Sequence, residues 1–277
     1  MFTLKSRGKE LPIHRPLVMG VVNRTPDSFY SASRMEAEED YKSLIDKMVS
    51  HGVDIIDVGG QSTKPGAEMI SSETELERVI PTIEYIRDNY PTIWISIDTF
   101  NSAVAEAAVL AGALIVNDIS AGMLDNKMIE TVSALNCTYG CMHMQGTPKT
   151  MQTNPTYDDV VEDVIAFFNQ KINQCTSAGI DSLIIDPGFG FGKTLAHNYH
   201  LVKQLNRLSA LGFPLLTGFS RKSMIYKLLE ISPEDALNGT TVLNTFAILH
   251  GASILRVHDV REARQAVQLI EAIMTSS

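Results

Sequence analysis

The chain has 277 residues, of which 44% are hydrophobic and 20% charged, as is typical of a globular protein. A formal net charge of -9 at pH 7 argues against a general nucleic-acid surface but permits a local cationic pocket for an anionic substrate. The sequence has no run of about 18 apolar residues, so it predicts no membrane-spanning helix. The start, MFTLKSRGKE, lacks the apolar core of a secretory signal, and we expect a cytoplasmic protein. The three cysteines, Cys137, Cys141 and Cys175, lack zinc-type partners and are expected to be reduced packing residues.

Short apolar runs alternate with helix-period segments along the chain. The runs span 17–22, 53–58, 93–97, 113–116, 138–142, 183–185, 214–217 and 253–257. Strands buried on both faces and separated by helices predict parallel βα units, and eight such units predict a single closed (β/α)8 TIM barrel with a parallel eight-stranded core. No linker divides the chain, so we expect one domain over 1–277, with 1–15 as an extension before the first barrel strand.

Two local expectations accompany this fold. The spacing Ser72-x-x-Glu75 before the periodic segment from Leu76 to Ile86 predicts a capping box at the start of a helix. The run at 138–142 is the weakest strand signal, and it leaves an open doubly wound sheet as the alternative architecture.

Polar residues stand at or just before the C-terminal ends of the runs. They are Asn23, Asp57, Asp98, Asn117, His143, Asp186, the segment 218–223, Arg256 and His258. In a barrel these positions all face one mouth, where barrel active sites are built. Any one of them can be explained as a strand-end cap or a satisfied buried polar group, but the set at one end of the units predicts a site.

The chemistry of this set can be sorted by charge. Asp98, Asn117 and Asp186 offer the carboxylates and amide that read a flat heterocycle, such as a purine or a pterin. A second group is cationic and suits phosphate or pyrophosphate oxygens or a ring carbonyl; it comprises Lys222, Arg256 and His258. Asn23 can place an amide oxygen on a magnesium ion bound mainly by substrate phosphates and water.

Two segments have competing interpretations. SRKSMIYKLL, from Ser220, places serine and basic residues at a predicted helix start, which suits a carboxylate; ordinary capping by Ser220 or Ser223, with solvated Arg221 and Lys222, is the alternative. DPGFGFGK, at 186–193, lacks the spacing of a P-loop. We expect its glycines to let the backbone approach a flat ligand, with Phe191 stacking near it.

Eight segments occur in an order that resembles the dihydropteroate synthases of folate biosynthesis. They are MGVVNRTPDSF, DVGGQSTKPGA, SIDT, VNDIS, MHMQGTPKTMQ, DPGFGFGK, GFSRKSMI and RVHDV, and the match covers about residues 17 to 275. The resemblance implies a transferase that condenses 6-hydroxymethyl-7,8-dihydropterin pyrophosphate with p-aminobenzoate, giving 7,8-dihydropteroate and pyrophosphate. It also implies Mg²⁺ as cofactor, these small molecules as partners, no nucleic acid or membrane partner, and a homodimer.

The resemblance further implies roles for individual residues. The pterin would be held by Asp98, Asn117, Met142, Asp186, Phe191, Gly218, Lys222 and Arg256. The pyrophosphate would meet Asn23, Arg256 and His258, with Asn23 acting through the metal, and p-aminobenzoate would lie among Phe29, Thr63, Pro65, Lys222 and Ser223. The residues expected to be catalytic are Asp98, Lys222, Arg256 and His258. They would stabilise pyrophosphate departure without a strong general base or a covalent enzyme intermediate.

The sequence departs from the family pattern in its first two loops. After TPDSF the family usually has Ser-Asp-Gly-Gly, whereas this chain has Tyr30, Ser31, Ala32 and Ser33. Gln61 and Lys64 replace Glu and Arg, Arg24 replaces an apolar residue, and Asn101 stands where Lys is common. We therefore expect weaker or different loop closure. A catalytically silent pterin-binding paralogue stays an alternative, as does a pterin-dependent methyltransferase, which would not need the SRKS helix or the Arg256 and His258 end.

Overall fold

The structure is a computed structural model that describes residues 2–25, 34–62 and 66–276, without the side chains of 34–39. The strands are β1 (Phe2–Ser6), β2 (Lys9–Ile13), β3 (Leu17–Asn23), β4 (Ile55–Gly59), β5 (Trp94–Asp98), β6 (Ile115–Asp118), β7 (Thr138–Met142), β8 (Leu183–Asp186), β9 (Leu216–Thr217) and β10 (Ile254–Val257). The helices are α1 (Arg34–Ser50), α2 (Ser72–Asn89), α3 (Ser102–Ala111), α4 (Met128–Leu135), α5 (Val160–Ser177), α6 (Leu195–Lys203), α7 (Leu205–Ser209), α8 (Ser223–Leu229), α9 (Leu237–Leu249) and α10 (Val260–Thr275).

Eight parallel strands form the barrel, which confirms the predicted fold class. Their order is β8-β7-β6-β5-β4-β3-β10-β9. The ends of this order meet where Ile185 bridges Leu215 in parallel and the Ile185 N–H donates to the Pro214 carbonyl at 3.0 Å. The weak run at 138–142 forms β7, which is buried throughout and pairs with both neighbours, so the open-sheet alternative is wrong. The strands are buried on both faces because helices cover the outside and side chains fill the inside.

The segment before the barrel is an antiparallel hairpin of β1 and β2. It lies across the N-terminal end of the barrel strands. There Thr138 Oγ1 donates to the Lys5 carbonyl at 2.9 Å, and the Lys5 N–H donates to Ser182 Oγ at 3.0 Å. Leu4 and Ile13 join the apolar cluster that fills this end, with Trp94 and Ile184 among its members. The hairpin therefore closes one end of the barrel and leaves the other for a site.

Two smaller expectations also have outcomes. The predicted capping box is wrong, because Ser71 caps α2, accepting from the Thr74 N–H at 3.3 Å, and Glu75 turns inward and is 3% exposed. The three cysteines are free and buried, as expected of packing residues. Among the residues described, no helix has the length and apolar character needed to cross a membrane.

Candidate active site

A buried charge network spans the C-terminal end of the barrel. Arg256, on β10, donates through Nε to Asp57 Oδ2 at 2.7 Å and through Nη2 to Asp98 Oδ2 at 2.7 Å. Asn117, on β6, donates through Nδ2 to the same Asp57 oxygen at 3.1 Å. Gly140 makes this possible, because a Cβ there would lie only 3.0 Å from Asn117 Oδ1. Sequence reasoning placed Asp57 at a strand end but gave it no role, and the structure makes it the group that joins β4, β6 and β10.

The two carboxylates of this network are incompletely paired. Asp57 is 0% exposed and Asp98 7%, and Oδ1 of each has no hydrogen-bond partner among the described residues. Burial raises the pKa of Asp98, against the lowering effect of Arg256, and the charge of Asp57 raises it further. An unpaired buried carboxylate oxygen is costly unless a ligand donor meets it. This arrangement is suited to a heterocycle with N–H donors.

A second acid and a lysine face this network from β8 and the loop after β9. Asp186 is buried, accepts the Gly188 N–H on Oδ1 at 2.8 Å, and has its pKa raised by burial. Lys222 Nζ donates to the Phe189 carbonyl at 2.6 Å and lies 5.0 Å from the centre of the Phe191 ring. Burial lowers the pKa of Lys222 to about 8, and the charge of Asp186 opposes this shift.

Small and apolar residues complete the wall beside Lys222. A Cβ at Gly218 would lie 3.7 Å from Lys222 Nζ and 3.8 Å from Arg256 Cβ, so Gly218 lies between these two cationic residues. Met142 is buried in a cluster with Phe100 and Ile119, against which Phe191 packs. The structure thus brings the predicted pterin ligands together around one apolar and carboxylate-lined wall.

His258 and Ser220 meet at the rim of the same mouth. His258 Nδ1 lies 2.9 Å from Ser220 Oγ, which also accepts the His258 N–H at 3.1 Å. Desolvation of the imidazole lowers the pKa of His258, and the charge of Arg256 lowers it further. The imidazole is therefore largely neutral at neutral pH, and an arriving anion would favour its protonation.

The ordinary-capping interpretation of SRKS is wrong. Ser220 bonds to His258, and α8 begins at Ser223 after an N-cap at Lys222 that makes no side-chain capping bond. Arg221 is not solvated freely, because it forms a bidentate pair with Asp259, with Nε–Oδ2 and Nη2–Oδ1 distances of 2.9 Å each. The segment is thus ordered by its own pairs, and Ser223 remains at the helix start.

Asn23 lies at the end of β3, beside the charge network. A Cβ on Gly59 would be 3.6 Å from both Asn23 Oδ1 and Asp98 Oδ2, so these two oxygens flank the same glycine. Three or more His, Cys, Asp or Glu side chains grouped as a metal site do not occur in the described ranges. One amide oxygen fits Mg²⁺ held mainly by phosphate oxygens and water, and does not fit an all-protein metal cage.

Several predicted residues lie outside the described ranges, namely Phe29, Thr63 and Pro65, together with Ser31 and Lys64 of the changed loops. The other departures have visible roles. The Arg24 guanidinium lies 3.8 Å from the centre of the Tyr41 ring, and Asn101 caps α3 by accepting the Ala103 N–H at 3.0 Å. Gln61 binds the Ser62 and Glu68 carbonyls through Nε2 at 2.8 and 3.0 Å, which a carboxylate could not do.

Two glycines of DPGFGFGK are required by packing within the protein. At Gly188, with φ +66°, a Cβ would overlap the His143 carbonyl, and at Gly192, with φ +61°, it would lie 2.5 Å from the Gln145 carbonyl. These two glycines therefore let the loop after β8 pack against the loop after β7, and the approach of the backbone to a flat ligand stays a prediction. Sequence reasoning also missed Lys193, whose ammonium is buried between these loops. Its position beside a glycine-rich segment gave no signal that it would be buried.

Comparison with known proteins gives one consistent result. The profile of the family described as pterin binding enzyme matches residues 19–258. The chain is 42% identical to the dihydropteroate synthase of Escherichia coli K12 over 99% of this chain and 97% of that protein. The Yersinia pestis dihydropteroate synthase solved with a sulfonamide drug complex superimposes with a TM-score of 0.92 at 40% identity, covering 99% of this chain and 100% of the other. The Xanthomonas albilineans dihydropteroate synthase with 4-aminobenzoic acid gives 0.93 at 39% identity, covering 99% of each.

Proposed function

The chain belongs to the dihydropteroate synthase family of pterin-binding enzymes, and we propose that the residues at its barrel mouth perform the family's reaction. That reaction is the transferase step of folate biosynthesis that joins 6-hydroxymethyl-7,8-dihydropterin pyrophosphate to p-aminobenzoate and releases pyrophosphate. The whole chain, 1–277, acts as one barrel domain in this proposal. The observation that best supports the proposal is the pair of unpaired Oδ1 atoms of Asp57 and Asp98, which need donors from a ligand. They lie beside Arg256, a cation that suits an anionic leaving group.

The pterin ring occupies the wall formed by the strand-end acids. Its N–H groups meet the free carboxylate oxygen of Asp98 and the carboxylate of Asp186, and its acceptors meet Asn117 and Lys222. Met142, Phe191 and Gly218 bound the slot that the flat ring enters. Hydrogen bonds from these donors offset the cost of burying the carboxylates. The site should therefore bind a ligand with matching N–H groups more tightly than one without them.

Arg256 connects the ring end to the pyrophosphate end. Its Nε and Nη2 are taken by Asp57 and Asp98, whereas Nη1 has no hydrogen-bond partner within the described part of the chain. Nη1 can therefore receive a pyrophosphate oxygen while the guanidinium stays anchored. His258 adds a second donor at the rim and becomes more basic as the anion approaches.

Bond breaking leads and bond formation follows. As the C–O bond loosens, Arg256 and His258 neutralise the charge that grows on the leaving pyrophosphate. Asp98 stabilises the positive charge that the dihydropterin delocalises. The amine of p-aminobenzoate then attacks the electron-deficient carbon, and the ammonium that forms loses its proton to water. No protein group has to remove a proton before attack, so the reaction proceeds without a strong general base or a covalent enzyme intermediate.

Mg²⁺ fits this proposal at Asn23. The amide oxygen would be its protein ligand, and phosphate oxygens and water would complete the shell. When bound, the ion supplies further neutralisation of the pyrophosphate charge. Asn23→Asp would strengthen the metal interaction, whereas Asn23→Leu would remove it, so the pair should shift the magnesium concentration needed for half-maximal rate in opposite directions.

The second substrate would approach from the first two loops. Phe29, Thr63 and Pro65, with Lys222 and the helix start at Ser223, would surround p-aminobenzoate. The presence of 4-aminobenzoic acid in the Xanthomonas albilineans structure supports this substrate. The carboxylate would accept from the free N–H groups at the beginning of α8.

A homodimer through α9 and α10 is also part of the proposal. Five apolar side chains on these helices are more than half exposed: Val242, Leu249, Leu269, Ile273 and Met274. In this proposal these side chains form one surface, which a second copy of the chain covers. The enzyme would act in the cytoplasm on small-molecule substrates, without nucleic acid or membrane partners.

A turnover assay with both substrates and magnesium tests the proposed function. We expect dihydropteroate and pyrophosphate in equal amounts, with Arg256→Met abolishing both. Pterin binding without turnover would instead support the silent paralogue. Exchange of labelled pyrophosphate into substrate without p-aminobenzoate tests the order of steps, since exchange that strictly requires the amine would contradict a discrete cation.

A further inference from the structure

In the loop after β8, the glycine-rich stretch 188–192 is held through its carbonyl groups. From Gly188 to Gly192, each main-chain oxygen accepts a hydrogen bond from a side chain. Lys193 Nζ donates to the Gly188 and Phe191 carbonyls at 3.0 and 2.9 Å. Lys222 Nζ donates to the Phe189 carbonyl and Gln152 Nε2 to the Gly190 carbonyl, each at 2.6 Å. The Tyr157 hydroxyl donates to the Gly192 carbonyl at 2.7 Å. A loop with this many fixed carbonyls has a defined backbone path.

Lys193 is the innermost of these donors. It is 3% exposed, and its ammonium also lies 2.9 Å from His143 Nδ1 and 3.3 Å from the His143 carbonyl. Its four acceptors include no carboxylate. Burying an ammonium on neutral acceptors is unfavourable. Burial lowers the pKa of Lys193 to about 7, and the charge of Asp186 opposes this shift. A lysine whose ammonium is buried on neutral acceptors, with the charge of Asp186 nearby but not hydrogen-bonded to it, is rarely kept for packing alone.

The loop that Lys193 holds also positions Lys222. The Phe189 carbonyl that binds Lys222 lies between the two carbonyls that bind Lys193. Phe191 is held in the same way, because its carbonyl accepts from Lys193 and its ring lies 5.0 Å from Lys222 Nζ. A change in the path of this loop would therefore move both the acceptor and the ring that face the Lys222 ammonium.

His143 sets the other side of this arrangement. Its N–H donates to the Asp186 carbonyl at 2.9 Å, so it is fixed to the end of β8. Its ring packs edge-on against Phe167 at 4.9 Å between centres, which sets the direction of Nδ1. When Lys193 is protonated, Nδ1 accepts from its ammonium, and the neutral imidazole then carries its proton on Nε2.

We infer that Lys193 is a positioning residue for the pterin end of the site, which acts by fixing the Gly188–Phe191 path that places Lys222 and Phe191. The inference rests on the proposed function, because it assumes that the pterin binds between these two side chains. Lys193 does not itself touch the ligand. Its role is local to the pterin slot and does not extend to the pyrophosphate end at Arg256 and His258.

Binding measurements on the full chain separate these ends. We would titrate wild-type protein and Lys193→Met with 6-hydroxymethyl-7,8-dihydropterin, and separately with inorganic pyrophosphate and magnesium, by calorimetry. Lys193→Met should bind the pterin about 10- to 100-fold more weakly, as expected for lost hydrogen bonds from a charged donor. Its affinity for pyrophosphate should stay within about twofold of wild type.

Substitutions at His143 provide a matched pair. His143→Asn keeps an acceptor oxygen near the position of Nδ1, whereas His143→Leu removes it. Pterin affinity should stay close to wild type in the first and fall in the second. Tyr157→Phe removes a hydrogen bond between the same two loops but at Gly192, away from Lys222. It should lower the melting temperature with little change in pterin affinity.

The outcomes separate three cases. Unchanged pterin affinity in Lys193→Met, or equal losses for pterin and pyrophosphate, would overturn the positioning role. If Lys193→Met does not fold, the His143 pair decides, because equal pterin affinity in both His143 variants would equally overturn it. Failure of the wild type to bind pterin at all would overturn the proposed function, and the positioning role with it.

Discussion

The two ends of the barrel bury different chemistry. At the N-terminal end of the strands, the β1–β2 hairpin covers a cluster that is apolar throughout; its members are Leu4, Ile13, Leu17, Met19, Ile55, Trp94, Leu114, Ile115, Ile184, Leu216 and Ile254. At the C-terminal end, the buried carboxylates include those of Asp57, Asp98 and Asp186. One end is filled and closed, and the other concentrates charge.

The closed end of the barrel mainly stabilises the fold, and the open end mainly serves the proposed function. Apolar burial at the closed end stabilises the fold by about 25 cal/mol for each Å² removed from water. Burial at the open end raises the pKa values of Asp98 and Asp186, which means that the folded chain disfavours their charged forms. Substitutions at the two ends should therefore have opposite signatures in activity and stability.

The largest expected effect is loss of activity in Asp98→Asn. The amide keeps the shape but not the charge that meets the pterin, so kcat/KM should fall about 10³-fold. Because the pKa of Asp98 is raised by folding, the wild type loses stability as pH rises through the range between the unfolded and folded pKa values. At pH 8 the variant avoids this cost, and its free energy of unfolding in urea should be equal or higher. A variant that is both active and less stable would contradict the contrast.

A loss of stability without a loss of rate is expected at the closed end. Leu4→Ala removes a side chain that is 1% exposed, and should lower the free energy of unfolding by about 3 kcal/mol. Urea unfolding measures this, and kcat and KM should not change. Leu11→Ala is the control on the same hairpin, since Leu11 is only partly buried and should cost less. A reduced kcat in Leu4→Ala would show that the two ends are coupled.

A smaller effect is expected from pH at the open end. The ammonium of Lys222 is charged below its pKa of about 8, so kcat/KM for the pterin substrate should fall as pH rises through that value. The slope should approach about tenfold for each pH unit. Lys222→Arg keeps a permanent charge and should move this limb to higher pH, whatever its absolute rate. An unmoved limb would assign the titration to another group.

The smallest effect concerns the hydrogen bonds between hairpin and barrel. Thr138→Val deletes the hydroxyl that binds the Lys5 carbonyl and lies 2.9 Å from Ser182 Oγ. It should lower the free energy of unfolding by about 1 kcal/mol, with activity unchanged. Thr138→Ser, which keeps the hydroxyl, should be near wild type. Faster amide hydrogen exchange at Lys5 in Thr138→Val alone would locate the effect.

The fold was readable from the sequence because strand burial and helix periodicity repeat in every unit. The run at 138–142 is a weak apolar signal because it contains Thr138, Tyr139 and Gly140. All three are nevertheless buried in β7, which pairs with β6 and β8. The N-terminal hairpin was not predicted, although Arg7 and Gly8 form its turn with φ values of 49° and 78°. Its strands are short and alternate imperfectly, and packing and hydrogen bonds to the barrel stabilise them.

The sequence also predicted some of the residues that form the site, but it did not predict which of them pair with each other. Parallel strands bring their C-terminal ends to one edge, which is why Asp98, Asn117 and Asp186 could be grouped from spacing alone. The pair of Arg256 with Asp57 joins residues 199 positions apart, and no local pattern encodes it. The assigned roles of these residues stay predictions until they are tested by substitution.

The contact of Gly188 and Gly192 with the loop after β7 also restricts chain length. An inserted residue in either loop would displace a backbone that already touches its neighbour at His143 and Gln145. The hairpin turn is less restricted at Gly8, because a Cβ there would meet nothing within 4 Å, although Arg7 beside it is bonded to the Asn136 carbonyl. Insertions, fused tags and evolutionary lengthening should therefore be accepted at the turn and rejected beside the glycines.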